Sequence, residues 1–422
     1  MSCRASACGG GGPAVPAGGG DPCCPPAPPP AGGAAAPAGG PLAWFADMVD
    51  HAHDYACAAK TEGRPVVGIL CEYTPRELIL AAGGVPVCLC GGDGRKIPAA
   101  EETLPANLCP LIKSTFGYHV LKANPFLEMA DLIVAETTCD GKKKMYELMA
   151  ETRPMHVLEL PQKPDAPDAL EAWTRELARL RAELERRFAT TITDAKLRDA
   201  IRLMNRERAL RRELAGLLRR DSPPLSGRQL LELKSLISCI PADLAQYETA
   251  LAAWRDAPGD PRWQGRTRVL LTGVPVPHMA ERVVDLIEER GGLIVAMENC
   301  TGLKPIFDDV DAEAPDPLRA LAQKYLHLPC SVMTPNTARL DLLRRLAAEY
   351  RPDCVVDLIW QACLTYDVES HRVRRLAEEE LHLPYLRIET DYSPSDSARI
   401  TLRVEALLET ARRRRGGTGD VR

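Results

Sequence analysis

The chain has 422 residues, 53 Lys and Arg against 58 Asp and Glu, and a net charge of -5. That length exceeds one typical hydrophobic core and implies two or three domains, and the weak acidity gives no reason to expect nucleic acid as a partner. No apolar run approaches the roughly 18 residues of a membrane span, and no charged segment followed by an apolar one marks export, so a cytoplasmic location is expected. In that reducing compartment the 15 cysteines are read as buried thiols, metal ligands or catalytic groups, not as a disulfide framework.

Residues 1–42 are Gly, Pro and Ala with almost no large apolar side chain, which reads as a disordered tail. Cys3, Cys8, Cys23 and Cys24 lie in it and are assigned to no site. A first α/β domain is expected over residues 43–167. Pro65 to Leu70 reads as a strand that delivers Cys71. Thr74-Pro75-Arg76-Glu77 then reads as a helix start, with a Thr cap, Pro at the first helical position and Glu at the third. Gly83-Gly84 closes that helix, Val85 to Leu89 is a strand, and the loop Gly91 to Gly94 follows at the same sheet edge. A helix containing Cys109-Pro110 comes next. The apolar run Ala130 to Ala135 reads as a buried strand and ends at Glu136-Thr-Thr-Cys-Asp-Gly-Lys-Lys-Lys-Met145.

Within that segment Gly141 allows a tight turn and Met145 begins a helical pattern. Cys139 is thereby placed at the carboxyl end of a strand, facing a helix start. Ligands of open α/β folds gather at that edge, and helix-end N–H groups favour a thiolate. Lys142, Lys143 and Lys144 oppose the helix dipole; either a bound anion offsets them or the turn is solvated. Met155 to Leu160 completes a β-α-β-α-β-α-β pattern, hence a parallel sheet with crossover helices.

Pro161 to Pro167 reads as a linker into a helical module over residues 168–262. Leu170, Trp173, Leu177, Leu180, Leu184 and Phe188 recur at spacings of three and four. Thr193 reads as the cap of a second helix that turns Leu197, Ile201 and Met204 inward. Pro223-Pro224 interrupts the pattern, and a further helix is expected from about Gln229 to Ile240. The last part, residues 263–422, repeats the first architecture. Strands at Val269 to Leu271, Leu293 to Met297, Cys354 to Trp360 and Tyr385 to Glu389 alternate with helices at Ala280 to Glu289, Thr337 to Tyr350 and Ser395 to Ala411. Cys300 and Cys363 follow two of those strands.

Six cysteines thus occupy comparable places. Cys71 and Cys139 follow strands in the first half, as Cys300 and Cys363 do in the second, and Cys109 and Cys330 each adjoin a proline in a connecting segment. Facing sheet edges would bring six thiols together, the soft donor set that iron–sulfur clusters require. The competing reading of each one alone is a small buried apolar residue. Cys57, Cys88, Cys239 and Cys354 are read as core, and Cys90 is ambiguous. No paired CxxC or His-x-x-x-His supports a small zinc module. No GxxxxGK[ST] or GxGxxG is present, so nucleotide hydrolysis is not expected of this chain. Glu72, Glu298 and Gln361 adjoin site cysteines and are candidates for steadying ligands or supplying protons.

The segments Leu70-Cys-Glu-Tyr-Thr-Pro-Arg-Glu77, Cys109-Pro-Leu-Ile-Lys-Ser114, Glu136 to Met145, Glu298-Asn-Cys-Thr-Gly302, Pro329-Cys330 to Asn336 and Gln361-Ala-Cys363 resemble the 2-hydroxyacyl-CoA dehydratase and benzoyl-CoA reductase superfamily. The likeness is closer to its anaerobic reductases with a double-cubane cluster, and it spans roughly residues 43–412. The resemblance implies two Rossmann-like or flavodoxin-like domains joined by helices. It implies two 4Fe cubanes joined by a bridging sulfide, one on Cys109, Cys139 and Cys363, which leaves Cys71, Cys300 and Cys330 for the other. It also implies a homodimer, a small-molecule substrate and a separate ATP-hydrolysing iron–sulfur activator that supplies low-potential electrons. The rivals are a single 4Fe-4S subunit of a 2-hydroxyacyl-CoA dehydratase and a non-enzymatic electron-transfer scaffold.

Overall fold

The computed structural model describes residues 40–417. The expected tail lies outside them except for its last three residues, where a helix, Gly40–Ala46, already begins. The first half holds β1 Val66–Ile69, β2 Val85–Cys88, β3 Leu132–Glu136 and β4 Met155–Leu158, in the order β2-β1-β3-β4. The second holds β5 Thr267–Gly273, β6 Gly292–Glu298, β7 Cys354–Trp360 and β8 Tyr385–Thr390, in the order β6-β5-β7-β8. All pairings are parallel. The order reverses between β1 and β3 and again between β5 and β7. At those points the connections leave on opposite faces and a crevice opens beyond the carboxyl ends.

Packing joins the halves. One apolar core runs from Val66 and Ile133 in the first sheet to Val269 and Ile388 in the second. The helix Ala169–Arg187 turns Trp173, Leu177, Leu180 and Leu184 onto the far face of the first sheet, where Leu321 and Tyr325 of the helix Pro317–Leu326 join them. The 23-residue helix Asp194–Gly216, about 34 Å long at 1.5 Å per residue, begins against that layer with Leu197 and Ile201. It ends against the second sheet with Leu214 and Ala215. Thr193 caps it, accepting from the Lys196 N–H as its sequence predicts. No helix among the described residues is long and apolar enough to cross a membrane.

Four local expectations need correction. Thr74 does not cap the next helix, which runs Arg76–Ala81 without a side-chain cap; its hydroxyl bonds the buried Glu136 carboxylate instead. Gly141 makes no turn. It lies inside the helix Asp140–Ala150, where a Cβ would fall 2.8 Å from Leu108 Cδ1 and 2.9 Å from Ile112 Cδ1. The helix expected over Gln229 to Ile240 stops at Glu232, and Cys239 takes a positive φ of 65° before Pro241 opens the helix Pro241–Trp254. Last, Cys71 and Cys300 are not equivalent: Cys71 follows β1, whereas Cys300 follows β6, the counterpart of β2.

Candidate functional site

A cavity of about 940 Å³ lies between the carboxyl ends of the two sheets. Cys71, Cys109 and Cys139 line it from the first half, and Cys300, Cys330 and Cys363 from the second. Cys88 and Cys90 line it too, although Cys88 reads as core in the sequence.

The six fall into two groups by their surroundings. Cys109, Cys139 and Cys363 each precede the first turn of a helix, namely Pro110–Val120, Asp140–Ala150 and Leu364–Arg375. Three sets of helix-end N–H groups, each the positive end of a dipole, therefore meet these sulfurs. Hydrogen bonding with Cys363 lowers the Cys109 pKa; burial opposes it and the N–H groups of Leu111 and Ile112 assist. The same bond, with burial, raises Cys363. Burial raises Cys139, against the Lys142 ammonium, and the Cys363 sulfur adds to the rise. Ala362 reaches a φ of 61° immediately before Cys363, a conformation that costs a non-glycine residue roughly 1–3 kcal/mol and aims the thiol into the cavity.

Cys71, Cys300 and Cys330 occupy loops, and the cations near them are side chains, not helix ends. Burial lifts Cys71 well above its usual value, opposed by Lys142, and Cys300 and Cys330 lie close enough to add to the rise. Burial takes Cys300 to about 12, with Lys304 opposing and Cys330 assisting. Cys139 also feels Cys330, so the two groups adjoin.

The three-lysine run divides by role. Lys142 is half-buried and donates to the Leu70 carbonyl at 2.7 Å. Although burial disfavours its charge, Tyr146, Cys71, Cys90 and Cys139 keep its pKa well above that of a free lysine. Lys143 pairs with Asp140 at 2.9 Å and Lys144 with Glu147, both near solvent. Lys304 supplies a second ammonium, this one buried, 2.9 Å from Glu298 and 2.8 Å from the Tyr366 hydroxyl. Sequence reasoning passes over Lys304, whose only signal is its position four residues after Cys300.

Of the three candidates beside the cysteines, only Glu72 lines the cavity. Burial would raise its pKa, yet Arg76 at 2.9 Å holds the carboxylate below the usual range. Glu298 is fully buried beneath the site, paired with Lys304 and with Arg339 at 3.1 Å. Gln361 is exposed and bonds β8 through its backbone N–H, which donates to Thr390 at 2.8 Å. Glu136, not singled out from the sequence, has no exposed surface, and burial lifts its carboxyl to about 8 against the Thr74 hydroxyl.

Among the described residues no three His, Cys, Asp or Glu side chains are arranged around one metal ion. A cubane makes a different demand, because each thiolate binds a separate iron and the sulfurs need not converge on one point. Two adjoining groups of three thiols, with helix ends and the Lys142 and Lys304 ammoniums facing their charge, fit such a cofactor.

Residues 71–411 match the family model described as 2-hydroxyglutaryl-CoA dehydratase, D-component. The chain is 43% identical over 362 residues to the “Putative dehydratase subunit YjiM” of Escherichia coli (strain K12), covering 83% of this chain and 92% of the relative. It is 25% identical to the beta subunit of lactoyl-CoA dehydratase from Anaerotignum propionicum, over 82% of this chain and 92% of the relative. It is 26% identical to one of the subunits of benzoyl-CoA reductase from Thauera aromatica, over 63% and 68% respectively.

Proposed function

Because the chain belongs to the 2-hydroxyglutaryl-CoA dehydratase D-component family, we propose that it is the iron–sulfur subunit of a low-potential reductase whose cavity holds a double cubane. One observation carries this reading: six thiols line one cavity in two groups of three, and each group draws on both halves of the chain. Cys109, Cys139 and Cys363 would hold one cubane, and Cys71, Cys300 and Cys330 the other. When bound, such a cofactor supplies strongly reducing electrons at an iron edge.

The remaining work belongs to this chain's residues. Helix N-termini would stabilise the first three sulfurs once iron displaces their protons, and Lys142 and Lys304 would do the same for the second three. The apolar residues Leu70, Val274 and Trp360 share the cavity wall with the sulfurs. Glu72, ionised by Arg76, accepts a hydrogen bond or proton at neutral pH instead of giving one. Electrons come from a separate ATP-hydrolysing activator, in keeping with the missing nucleotide motif, and the acceptor is a small molecule that the cavity admits.

A second reading has support from the relatives, of which one is named as a beta subunit of a dehydratase. In it the chain holds one cubane on Cys109, Cys139 and Cys363, binds an acyl-CoA beside a partner subunit, and eliminates water. Anaerobic purification followed by iron and sulfide analysis separates the two: about eight irons per chain for a double cubane, about four for a single one. One iron or fewer rejects both.

A further inference from the structure

Cys88 and Cys90 belong to neither group of three, yet both line the same cavity. Cys88 ends β2 and Cys90 follows two residues later, and β2 holds in the first sheet the place that β6, which delivers Cys300, holds in the second. Cys90 is therefore the topological counterpart of Cys300.

The backbone around Cys90 is fixed from both halves. The Leu89 N–H donates to Ile69 at 3.0 Å. The Gly91 N–H donates to Thr115 Oγ1 at 2.9 Å, and its carbonyl accepts from the Tyr392 hydroxyl at 3.2 Å. At Gly92 a Cβ would fall 2.0 Å from the His278 carbonyl oxygen, so the loop is pressed against the second half. The Cys90 thiol is turned back toward the Leu70 carbonyl, with sulfur and oxygen 3.7 Å apart, and the same carbonyl accepts from Lys142 Nζ. One half-buried ammonium is thereby bracketed by Cys71, Cys90 and Cys139, the thiols that follow β1, β2 and β3. A thiol in that position shares the electrostatic setting of two proposed ligands.

We propose that Cys90 is a seventh, exchangeable protein ligand, which binds an iron that three-cysteine ligation leaves without a protein thiolate. This rests on the cluster reading above. A sulfur–iron bond forms as sulfide or hydroxide leaves, the thiol proton departs with the displaced group, and no electron moves. An incoming substrate that carries a hydroxyl reverses the exchange, binding iron through its oxygen as its proton passes to the departing Cys90 sulfur, and Cys88, two residues away, holds the released thiol by a hydrogen bond.

Differential alkylation of the full chain tests the idea. Anaerobic iron-loaded and iron-free protein are treated with iodoacetamide and the modified sites are mapped by mass spectrometry. Metal-bound sulfur is a poor nucleophile, so iron should slow alkylation of Cys71, Cys109, Cys139, Cys300, Cys330, Cys363 and Cys90 on the order of tenfold or more. Cys88 lines the same cavity and reports simple shielding. Cys90→Ala should keep its iron and sulfide but shift the midpoint potential, with Cys90→Ser restoring part of the shift. If the six are protected while Cys90 is slowed no more than Cys88, the seventh ligand is overturned and the cluster stands. If none of the six is protected, the cluster reading fails and this one with it. An unshifted potential in Cys90→Ala likewise overturns the ligand.

Discussion

Lys142 places a positive charge where the thiols of three strand ends meet, and its value depends on what those thiols hold. Each electron added to a thiolate-bound cluster adds negative charge, which a buried cation stabilises most strongly at low local dielectric. Lys142→Met keeps the apolar stem and removes the charge. The midpoint potential should fall by about 60 mV or more, the equivalent of a tenfold change for one electron. An anaerobic titration followed by electron paramagnetic resonance reads this directly, and an unchanged potential would mean that the ammonium does not face the redox centre. Glu136 carries a pH signature of its own, best read in iron-free protein. Its folded pKa of about 8 lies above the ordinary 4.5 because burial disfavours the carboxylate. As pH rises through that window the unfolded chain loses its proton first, so stability falls between about pH 4.5 and 8. Glu136→Gln cannot ionise. Relative to the parent it should gain on the order of 1–3 kcal/mol from pH 5 to pH 8, as urea denaturation at the two pH values would show. Parallel curves would assign the slope to another group.

At the scale of the elements, the second sheet is tied to its helices by one guanidinium. Arg339, on the helix Thr337–Tyr350, has no exposed surface; it bonds Glu298 at the end of β6 and Thr272 of β5, and lies 3.8 Å from Asp357 of β7. Arg339→Met would leave Glu298 and Asp357 without that cation inside the protein, and breaking a buried pair from one side costs about 3–5 kcal/mol. An unfolding free energy lowered by less than about 1 kcal/mol in urea denaturation would contradict this, since that is what an exposed pair contributes. These elements differ in how plainly the sequence announces them. β5 to β8 are short apolar runs closed by turn residues, and the thiols that follow strands stand out for the same reason. The Thr74 cap misleads because its signal is local, whereas the winning partner, Glu136, is 62 residues away. The helix after Gln229 reads too long because nothing in its apolar spacing reveals the positive φ at Cys239. Gly141 and Gly92 look alike as loop glycines, and only packing distinguishes them: one lets two helices approach, the other lets the halves touch. Cys88 reads as core because alternation along a strand does not tell a cavity wall from an interior.

For the whole molecule the question is what keeps two α/β halves at a fixed separation around a cavity of about 940 Å³. The helix Asp194–Gly216 spans both cores, the helix Pro317–Leu326 of the second half packs on the first, and the Gly91–Gly92 loop abuts His278. These contacts position the rims, where Cys71, Cys139, Cys300 and Cys363 stay protonated while no metal is bound. A cofactor held by Cys139 and Cys363, or by Cys71 and Cys330, would bond one half to the other. Folded-state binding stabilises by mass action, about 4 kcal/mol when free ligand is a thousandfold above its dissociation constant. Iron-loaded protein should therefore melt well above iron-free protein and resist proteolysis near the loop at Gly91 and Gly92. Substitutions should sort by group and not by half. Cys139→Ala and Cys363→Ala would abolish one and the same spectroscopic signal, and Cys71→Ala and Cys330→Ala the other, each with about half the iron lost. If the second pair leaves iron unchanged, the single-cubane dehydratase reading gains what the reductase loses. If variants sort by half, with Cys71 and Cys139 together, the grouping across the cavity is wrong.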